Sequence, residues 1–281
     1  MNVTLIILPR KIAALKVVAH HVPLSDDHVL AADLAERAGH LLLTLRANGG
    51  DPGELRNAGD RQSHEFLMAE LAKTRPNDAV LSEEGIDDKA RLTADRVWIV
   101  DPLDGTREFG EPGRTDWAVH VALWARNAEG GGGDLIAGAI ALPAQNRVLA
   151  TSGEAEPPAQ PDPETGRPLR MVVSRTRASD LVKAVGARLN AELVPCGSAG
   201  AKVATVIMGE NDVYLHSGGF YEWDTAAPVA VARQRGFHVS RIDGSDVVYN
   251  EEDPLLPDIL VCRPAIAPVL LDAIREATYA I

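Results

Sequence analysis

The stretch RVWIVDPLDGTREF (residues 96–109) carries the strongest structural signal in this chain. Its first part, Val97–Val100, is apolar and rich in β-branched and aromatic side chains, a composition that predicts a buried strand. The strand is predicted to stop at Asp101 and Pro102, because proline cannot donate a hydrogen bond to a neighbouring strand. The residues that follow therefore lie at the carboxyl end of a buried strand, which is where open α/β sheets bind ligands.

Acidic side chains and backbone amides come together in this turn. Asp101 and Asp104 bring two carboxylates three residues apart, which attract a hard cation. Gly105 allows a close approach to the backbone, and Thr106 offers a hydroxyl and an N–H at the expected start of a helix, where anions bind. A cation and an anion on one turn suggest metal-assisted phosphate chemistry.

Two other interpretations of the same turn stay open at this point. A bare DxxDG pattern is also typical of a turn in which the aspartates only cap backbone amides. The DxDGT motif of haloacid dehalogenases is similar but one residue shorter, and its first aspartate is a nucleophile. The spacing of three residues and the position far from the N-terminus disfavour this last interpretation.

A second acidic pair, Glu83 and Glu84, follows a short apolar run at Ala79–Leu81. Two adjacent glutamates usually belong to a solvated loop. Here they come at the end of one predicted strand and shortly before the next one. Carboxylates at two adjacent strand ends could share one cation.

Composition excludes several classes of protein. The chain has 281 residues, enough for two ordinary domains or one large one. It is 46% hydrophobic and 24% charged, as globular proteins are. Its net charge of −12 argues against a partner such as a nucleic-acid polymer. An acidic protein that acts on an anion needs local positive charge, which metal ions can supply.

The cysteines and the N-terminus suggest a soluble protein of the cytoplasm. Two cysteines, Cys196 and Cys262, lie far apart and fit neither a disulfide framework nor a zinc site. The apolar run at residues 5–8 ends at a proline and is too short for a signal peptide or a membrane span. Residues 1–24 are interpreted as an N-terminal extension, and no membrane association is expected.

The chain divides into two predicted halves. Residues 154–168 contain five prolines without an apolar period, which predicts a loop or linker. The first half, 25–153, begins with a helix capped near Ser25 and continues with a second helix from about Asp60. The second half, 169–281, alternates strands and helices, so a second sheet covered by helices is expected.

Two single residues outside the turn are also interpreted. Asp224 is expected as the N-cap or in the first turn of a helix that runs to about Ala232. His120 falls in the middle of a strand predicted over residues 117–123, and is interpreted as a core histidine rather than a ligand.

Four motifs together resemble the lithium-sensitive, magnesium-dependent phosphatases that include inositol monophosphatases, fructose-1,6-bisphosphatases and 3′(2′),5′-bisphosphate nucleotidases. They are SEE (82–84), DPLDGTREF (101–109), GSAGAK (197–202) and EWDTAAP (222–228). They look most similar to the CysQ type of bisphosphate nucleotidase, and the Ala- and Arg-rich composition is similar to an actinobacterial member. The chain departs from the family's VTxxD pattern at residues 56–60, where Asp60 matches but the threonine and the usual lysine are missing.

This resemblance implies an α/β fold with layers in the order αβαβα and a site between the two halves. It also implies two or three Mg²⁺ ions and inhibition by Li⁺. The implied metal ligands are Glu83, Asp101, Asp104, Asp224 and the carbonyl of Leu103. Oxygen donors of this kind suit magnesium.

The resemblance further implies the catalytic and substrate-binding residues. Thr106, paired with Asp60, would orient or deprotonate the water that attacks phosphorus, and Glu83 is counted with them as catalytic. The implied substrate-binding residues are Gly105, Thr106, Ser198, Lys202 and Asp224.

The expected reaction is the Mg²⁺-dependent hydrolysis of the 3′-phosphate of adenosine 3′,5′-bisphosphate, in sulfur assimilation. The sulfated precursor of this small phosphorylated molecule is a second possible substrate, and a homodimer is a possible assembly. The alternatives are an inositol monophosphatase, a fructose-1,6-bisphosphatase, or a metal- or nucleotide-binding regulator that has lost catalysis.

Overall fold

The structure, a computed structural model, describes residues 26–128, 132–152, 166–176 and 178–279. These residues form seven α-helices and ten β-strands. The helices are α1 (Asp27–Ala47), α2 (Pro52–Thr74), α3 (Thr106–Gly110), α4 (Asp180–Arg188), α5 (Ala199–Ile207), α6 (Glu222–Gln234) and α7 (Ala267–Thr278). The strands are β1 (Ala79–Ser82), β2 (Arg96–Asp104), β3 (Ala118–Arg126), β4 (Gly133–Leu142), β5 (Arg147–Ala150), β6 (Arg170–Ser174), β7 (Glu192–Cys196), β8 (Val213–Tyr221), β9 (His238–Ser240) and β10 (Leu255–Cys262).

The strands form two mixed sheets of five strands each. The first sheet has the order β1-β2-β3-β4-β5, with β1 and β2 parallel and the other pairs antiparallel. The second has the order β7-β6-β8-β10-β9, with β6 parallel to both β7 and β8. Strands β10 and β9 complete it in antiparallel fashion.

The helices cover these sheets in the expected αβαβα order. Strand β2 shows how its sequence achieves this: Trp98 and Val100 pack against α1 and α2, whereas Val97 and Ile99 face α6 and the second sheet. Helices α5 and α6 lie between the sheets, and α4 and α7 cover the far face of the second one. A strand buried on both faces explains the unbroken apolar run of β2.

Helix α2 begins earlier than the sequence analysis predicts. It starts at Pro52, not near Asp60, because the Asp51 carboxylate accepts hydrogen bonds from the amides of Gly53 and Glu54. Proline at the first helical position fits this start, since its missing N–H has no helical partner there. Asp60 therefore lies in the middle of a helix and is held rigidly.

Strand β2 also ends later than predicted. It continues through Pro102 to Asp104, and its register with β3 shifts between Asp101 and Asp104. Proline is tolerated at such an irregularity because no ladder hydrogen bond is required of it. The shift gives Asp101 and Asp104 their different surroundings.

Some predicted features fall partly or wholly outside the described residues. The extension at 1–24, Ser25 and most of the proline-rich stretch at 154–168 are among them, while the cap predicted for the first helix lies at Asp26, which accepts a hydrogen bond from Val29 N. The division of the chain into two halves stays a prediction. Within the described part, a helix that combines the length and hydropathy of a membrane span is absent.

Candidate active site

The predicted site residues line one cavity of about 730 Å³ between the two sheets. Those that line it are Glu83, Asp101, Leu103, Asp104, Gly105, Thr106, Ser198, Lys202 and Asp224. The first sheet and α3 provide the residues up to Thr106, while α5 and α6 provide the others. Asp60 lies behind the wall and reaches it through Thr106. Distant parts of the chain therefore meet at one cavity.

Glu83 and Asp101 meet at the ends of the parallel strands β1 and β2. Their carboxyl groups share a hydrogen bond, which requires a proton. Burial, together with the nearby carboxylates of Asp104 and Asp224, raises the pKa of Glu83 to about 7. Burial first, and then the charges of Glu83, Asp104 and Asp224, raise the pKa of Asp101 well above its usual range. When ionised, these carboxylates repel one another, which favours a cation among them.

Asp104 joins the turn to the first turn of α5. Its Oδ2 atom accepts hydrogen bonds from Ser198 Oγ at 2.5 Å and from Gly200 N at 2.7 Å. Ser198 Oγ also accepts one from Ala201 N and so caps α5. The one proton of Ser198 is thus donated to Asp104, while its oxygen, which has two lone pairs, accepts one bond from its own helix.

His120 is buried in the core, as its sequence interpretation predicts, and it also lies beside this site. Its Nδ1 donates to the carbonyl of Trp223 at 3.1 Å, and its Nε2 lies 3.3 Å from Asp104 Oδ2 without a hydrogen bond. The ring is buried against Gly200, where an added Cβ would lie 1.9 Å from Nε2. Because β2 and β3 pair Asp101 with His120, the strand register is the signal that could have found it.

Asp101, Asp104 and His120 form a group of side chains whose spacing is compatible with a metal ion. The nearest ligand atoms of Asp101, Asp104 and His120 lie within 4.8 Å of one another. His120 packs against α5 and is not among the residues that line the cavity within the described chain. Of the three, Asp101 and Asp104 face the cavity, and their carboxylate oxygens suit a small hard cation.

Thr106 and Asp60 form the predicted pair. Thr106 Oγ1 lies 3.2 Å from Asp60 Oδ1 and 3.1 Å from the carbonyl of Leu103, so its one proton has two acceptors. Burial, and then the charge of Glu84, raises the pKa of Asp60 to about 6. Gly105 precedes Thr106 with φ at 86°, a left-handed conformation that suits glycine. The pair is therefore close enough to act together.

Lys202 is more deeply buried than its predicted role suggests. Its Nζ donates to the carbonyls of Ser198 at 2.7 Å and Gly197 at 3.2 Å, and lies 5.5 Å from the centre of the Tyr214 ring. Burial lowers its pKa. Two of its three protons can thus be donated to the chain, and an ammonium group has a third.

Asp224 lies in the first turn of α6, as predicted, where its Oδ2 atom accepts a hydrogen bond from Tyr221 N at 2.6 Å. Aromatic rings continue the cavity wall from there. Tyr221 and Trp223 stack with centroids 4.6 Å apart, and His216 and Phe220 pack at 4.7 Å. The acidic end of the cavity therefore opens towards flat apolar surfaces.

The model of the inositol monophosphatase family matches residues 28–279. The chain belongs to this family. Members of the inositol monophosphatase family are generally metal-dependent, which agrees with the acidic cluster in the cavity.

Individual relatives are similar over most of their length. A 3′-phosphoadenosine 5′-phosphate phosphatase of Mycobacterium leprae (strain TN) is 49% identical, covering 89% of this chain and 94% of its own. The protein of that name from Mycobacterium tuberculosis (strain CDC 1551 / Oshkosh) is 51% identical, covering 85% and 90%. The crystal structure of CysQ from Bacteroides thetaiotaomicron, a bacterial family member, superposes with a TM-score of 0.69 at 30% identity, covering 84% of this chain and 96% of that one.

The raised pKa of Glu83 predicts how the metal-free protein responds to pH. The folded state holds this proton up to a pKa of about 7, whereas the unfolded chain releases it near 4.5. The folded state thus binds more protons between these values, and its stability falls as pH rises through them. We expect Tm measured in EDTA to fall from about pH 5 to about pH 7.5, with each 1 kcal/mol lost lowering it by about 2–4 °C. Glu83→Gln should flatten this dependence, whereas an equally steep slope in that variant would contradict the assignment.

Proposed function

We propose that this protein is a Mg²⁺-dependent phosphatase that removes the 3′-phosphate of adenosine 3′,5′-bisphosphate. The observation that carries the proposal is the convergence of Glu83, Asp101, Asp104 and Asp224 beside the Thr106–Asp60 pair in one cavity. The names of the mycobacterial relatives support the same substrate. In this proposal the protein serves sulfur assimilation, and the sulfated precursor of the nucleotide is a second substrate.

The four carboxylates and the carbonyl of Leu103 would hold two or three Mg²⁺ ions. When bound, the ions supply positive charge to the phosphate oxygens and lower the pKa of a coordinated water. Ca²⁺ should inhibit because it is larger and less strictly octahedral. Inhibition by Li⁺, a cytoplasmic location and a homodimer are further expectations of the same proposal.

Thr106 and Asp60 would act on the attacking water. The Thr106 hydroxyl lies between the Asp60 carboxylate and the Leu103 carbonyl. When it donates its proton to Asp60, its oxygen can accept a hydrogen bond from a water in the cavity and so orient that water. The amides of Gly105 and Thr106, at the start of α3, would hold phosphate oxygens. Glu83 is proposed to have two roles, as a metal ligand and as a catalytic residue.

The shape of the cavity supports a nucleotide over an inositol or sugar phosphate. The stacked rings of Tyr221 and Trp223 offer a flat face on which a purine can stack, a contact worth about 1–3 kcal/mol. A polyol has no such face. Ser198 and Lys202 are proposed to contact the sugar and the second phosphate, with the remaining Lys202 proton as the donor. A regulator without catalysis is disfavoured, since all four carboxylates and Thr106 are present.

A substrate panel tests this proposal. With Mg²⁺, we expect phosphate release from adenosine 3′,5′-bisphosphate to exceed that from inositol 1-phosphate and fructose 1,6-bisphosphate in kcat/KM by at least about tenfold, the worth of one charge-assisted contact. Exhaustive chelation should abolish it. A preference for inositol 1-phosphate, or full activity after chelation, would refute the proposal.

The same panel tests Lys202. Lys202→Ala should lose about ten- to a hundredfold in kcat/KM on the bisphosphate while barely affecting inositol 1-phosphate. Lys183→Ala is the matched control, because this exposed lysine of α4 lies outside the cavity and pairs with Asp180 within the described chain. Equal losses on both substrates would mean that Lys202 supports the carbonyls of residues 197 and 198 instead.

A further inference from the structure

A buried arginine connects the segment after Glu83 to the second half of the chain. Arg91 lies in a short 3₁₀ turn, Lys89–Thr93, and its side chain is 0% exposed. Its Nη1 donates to Asn250 Oδ1 at 2.8 Å, and its Nη2 to the carbonyl of Glu251 at 2.8 Å. Its Nε donates to Asp87 Oδ1 at 2.7 Å. The guanidinium is therefore held on both sides by fixed acceptors.

The same two residues are bound from the opposite side by Glu222, the first residue of α6. Its Oε2 atom accepts from Asn250 N and its Oε1 from Glu251 N, both at 2.8 Å. Glu222 is 1% exposed. The backbone amides of Asn250 and Glu251 thus bind the Glu222 carboxylate. The side-chain carboxamide of Asn250 and the carbonyl of Glu251 bind the Arg91 guanidinium.

This network connects the two segments of the chain that carry the proposed metal ligands Glu83 and Asp224. Glu83 lies eight positions before Arg91, and Asp224 lies two positions after Glu222. Glu83 and Asp224 line the same cavity, so two like-charged side chains face one space. Arg91, Asn250 and Glu222 do not line the cavity among the described residues. They can act on the site only by positioning what does line it.

We propose that Arg91, Asn250 and Glu222 form a brace that fixes the spacing between Glu83 and Asp224 and so sets the affinity of the site for Mg²⁺. The brace holds the two repelling carboxylates at their working distance before a cation arrives. This inference rests on the proposed metal site. Groups that orient metal ligands typically contribute about ten- to a hundredfold to affinity.

Calorimetric titration with Mg²⁺ alone tests the brace without relying on activity. Arg91→Lys keeps the charge but loses the forked contacts with Asn250 and Glu251, and should weaken Mg²⁺ binding about ten- to a hundredfold. Turnover at saturating Mg²⁺ should stay near the wild-type value. Asn250→Gly is the second variant: it removes the carboxamide and tolerates the backbone φ of 63° at this position.

Arg241→Lys is the matched control. Arg241 makes a two-pronged ion pair with Asp258, both bonds at 2.8 Å, between residues that do not line the cavity in the described chain. It should lose thermal stability with unchanged Mg²⁺ affinity. Wild-type affinity in folded Arg91→Lys or Asn250→Gly, or an equal loss in Arg241→Lys, would overturn the brace. Failure of the wild-type protein to bind Mg²⁺ would instead refute the proposed function.

Discussion

Asp101→Asn is expected to lower kcat by at least about a thousandfold, comparable to the loss of a major charge-stabilising group. Asp101 is 1% exposed at the end of β2 and faces the other acids of the cavity. Asparagine has the same shape and can still accept the hydrogen bond that Leu103 N donates to Oδ1. What it lacks is the negative charge, which is the property proposed to bind the cations.

The folded state should survive this change. Replacing one of several crowded carboxylates relieves repulsion when no metal is bound, so Tm in EDTA should equal or exceed that of the wild-type protein. Asp104→Asn should lose as much activity, but it also disturbs the bonds from Ser198 and Gly200 that fix α5.

Asp95→Asn serves as the control. Asp95 directly precedes β2, and its side chain is 91% exposed. This variant should keep the wild-type rate. An Asp101→Asn protein that is folded and turns over near the wild-type rate would show that the DPLDGT turn has only a structural role.

The second large effect concerns the Thr106–Asp60 pair. Thr106→Ala and Asp60→Asn should each lower kcat by about a hundred- to ten-thousandfold, the range of proton-transfer catalysis. The double variant should be scarcely worse than either single one, because residues that act as a unit lose their contribution together. The affinity for Mg²⁺ should change much less, since neither side chain is assigned to an ion.

Thr106→Ser is the matched control for the pair, because it keeps the hydroxyl and should keep most of the rate. Kinetics of the four proteins of the cycle, measured at saturating Mg²⁺, decide the matter. If the two losses multiply in the double variant, Thr106 and Asp60 act independently and the pair is not a functional unit.

Much of the site could be predicted from local sequence. The apolar run before Asp101 and the glycine before Thr106 predict a strand, a turn and a helix start, and the structure confirms all three elements. The αβαβα fold implied by the motifs is confirmed as well. These features are readable because strand composition, glycine conformation and helix starts depend on residues close together in the chain.

Boundaries were predicted less well, for reasons that are still local. The glycine-rich stretch before Asp60 resembles a loop and so predicts a start of α2 near Asp60, although Asp51 and Pro52 are themselves a helix-start signal. The rule on proline in strands predicts that β2 ends at Asp101 and Pro102, but this rule holds for regular pairing. Because the register of β2 with β3 shifts between Asp101 and Asp104, the rule does not apply to Pro102.

Sequence alone therefore determined the acidic strand ends and the Thr106 turn, since each follows from neighbouring residues. The fold class followed from the resemblance of the four motifs to a known family. Only the tertiary structure decided which groups meet across the chain. It placed His120 beside Asp104, engaged Lys202 with two carbonyls, and joined Arg91 to Asn250 across 159 positions. Such contacts are set by strand register and by the packing of α5 and α6 between two sheets, and no local pattern encodes where those surfaces come together.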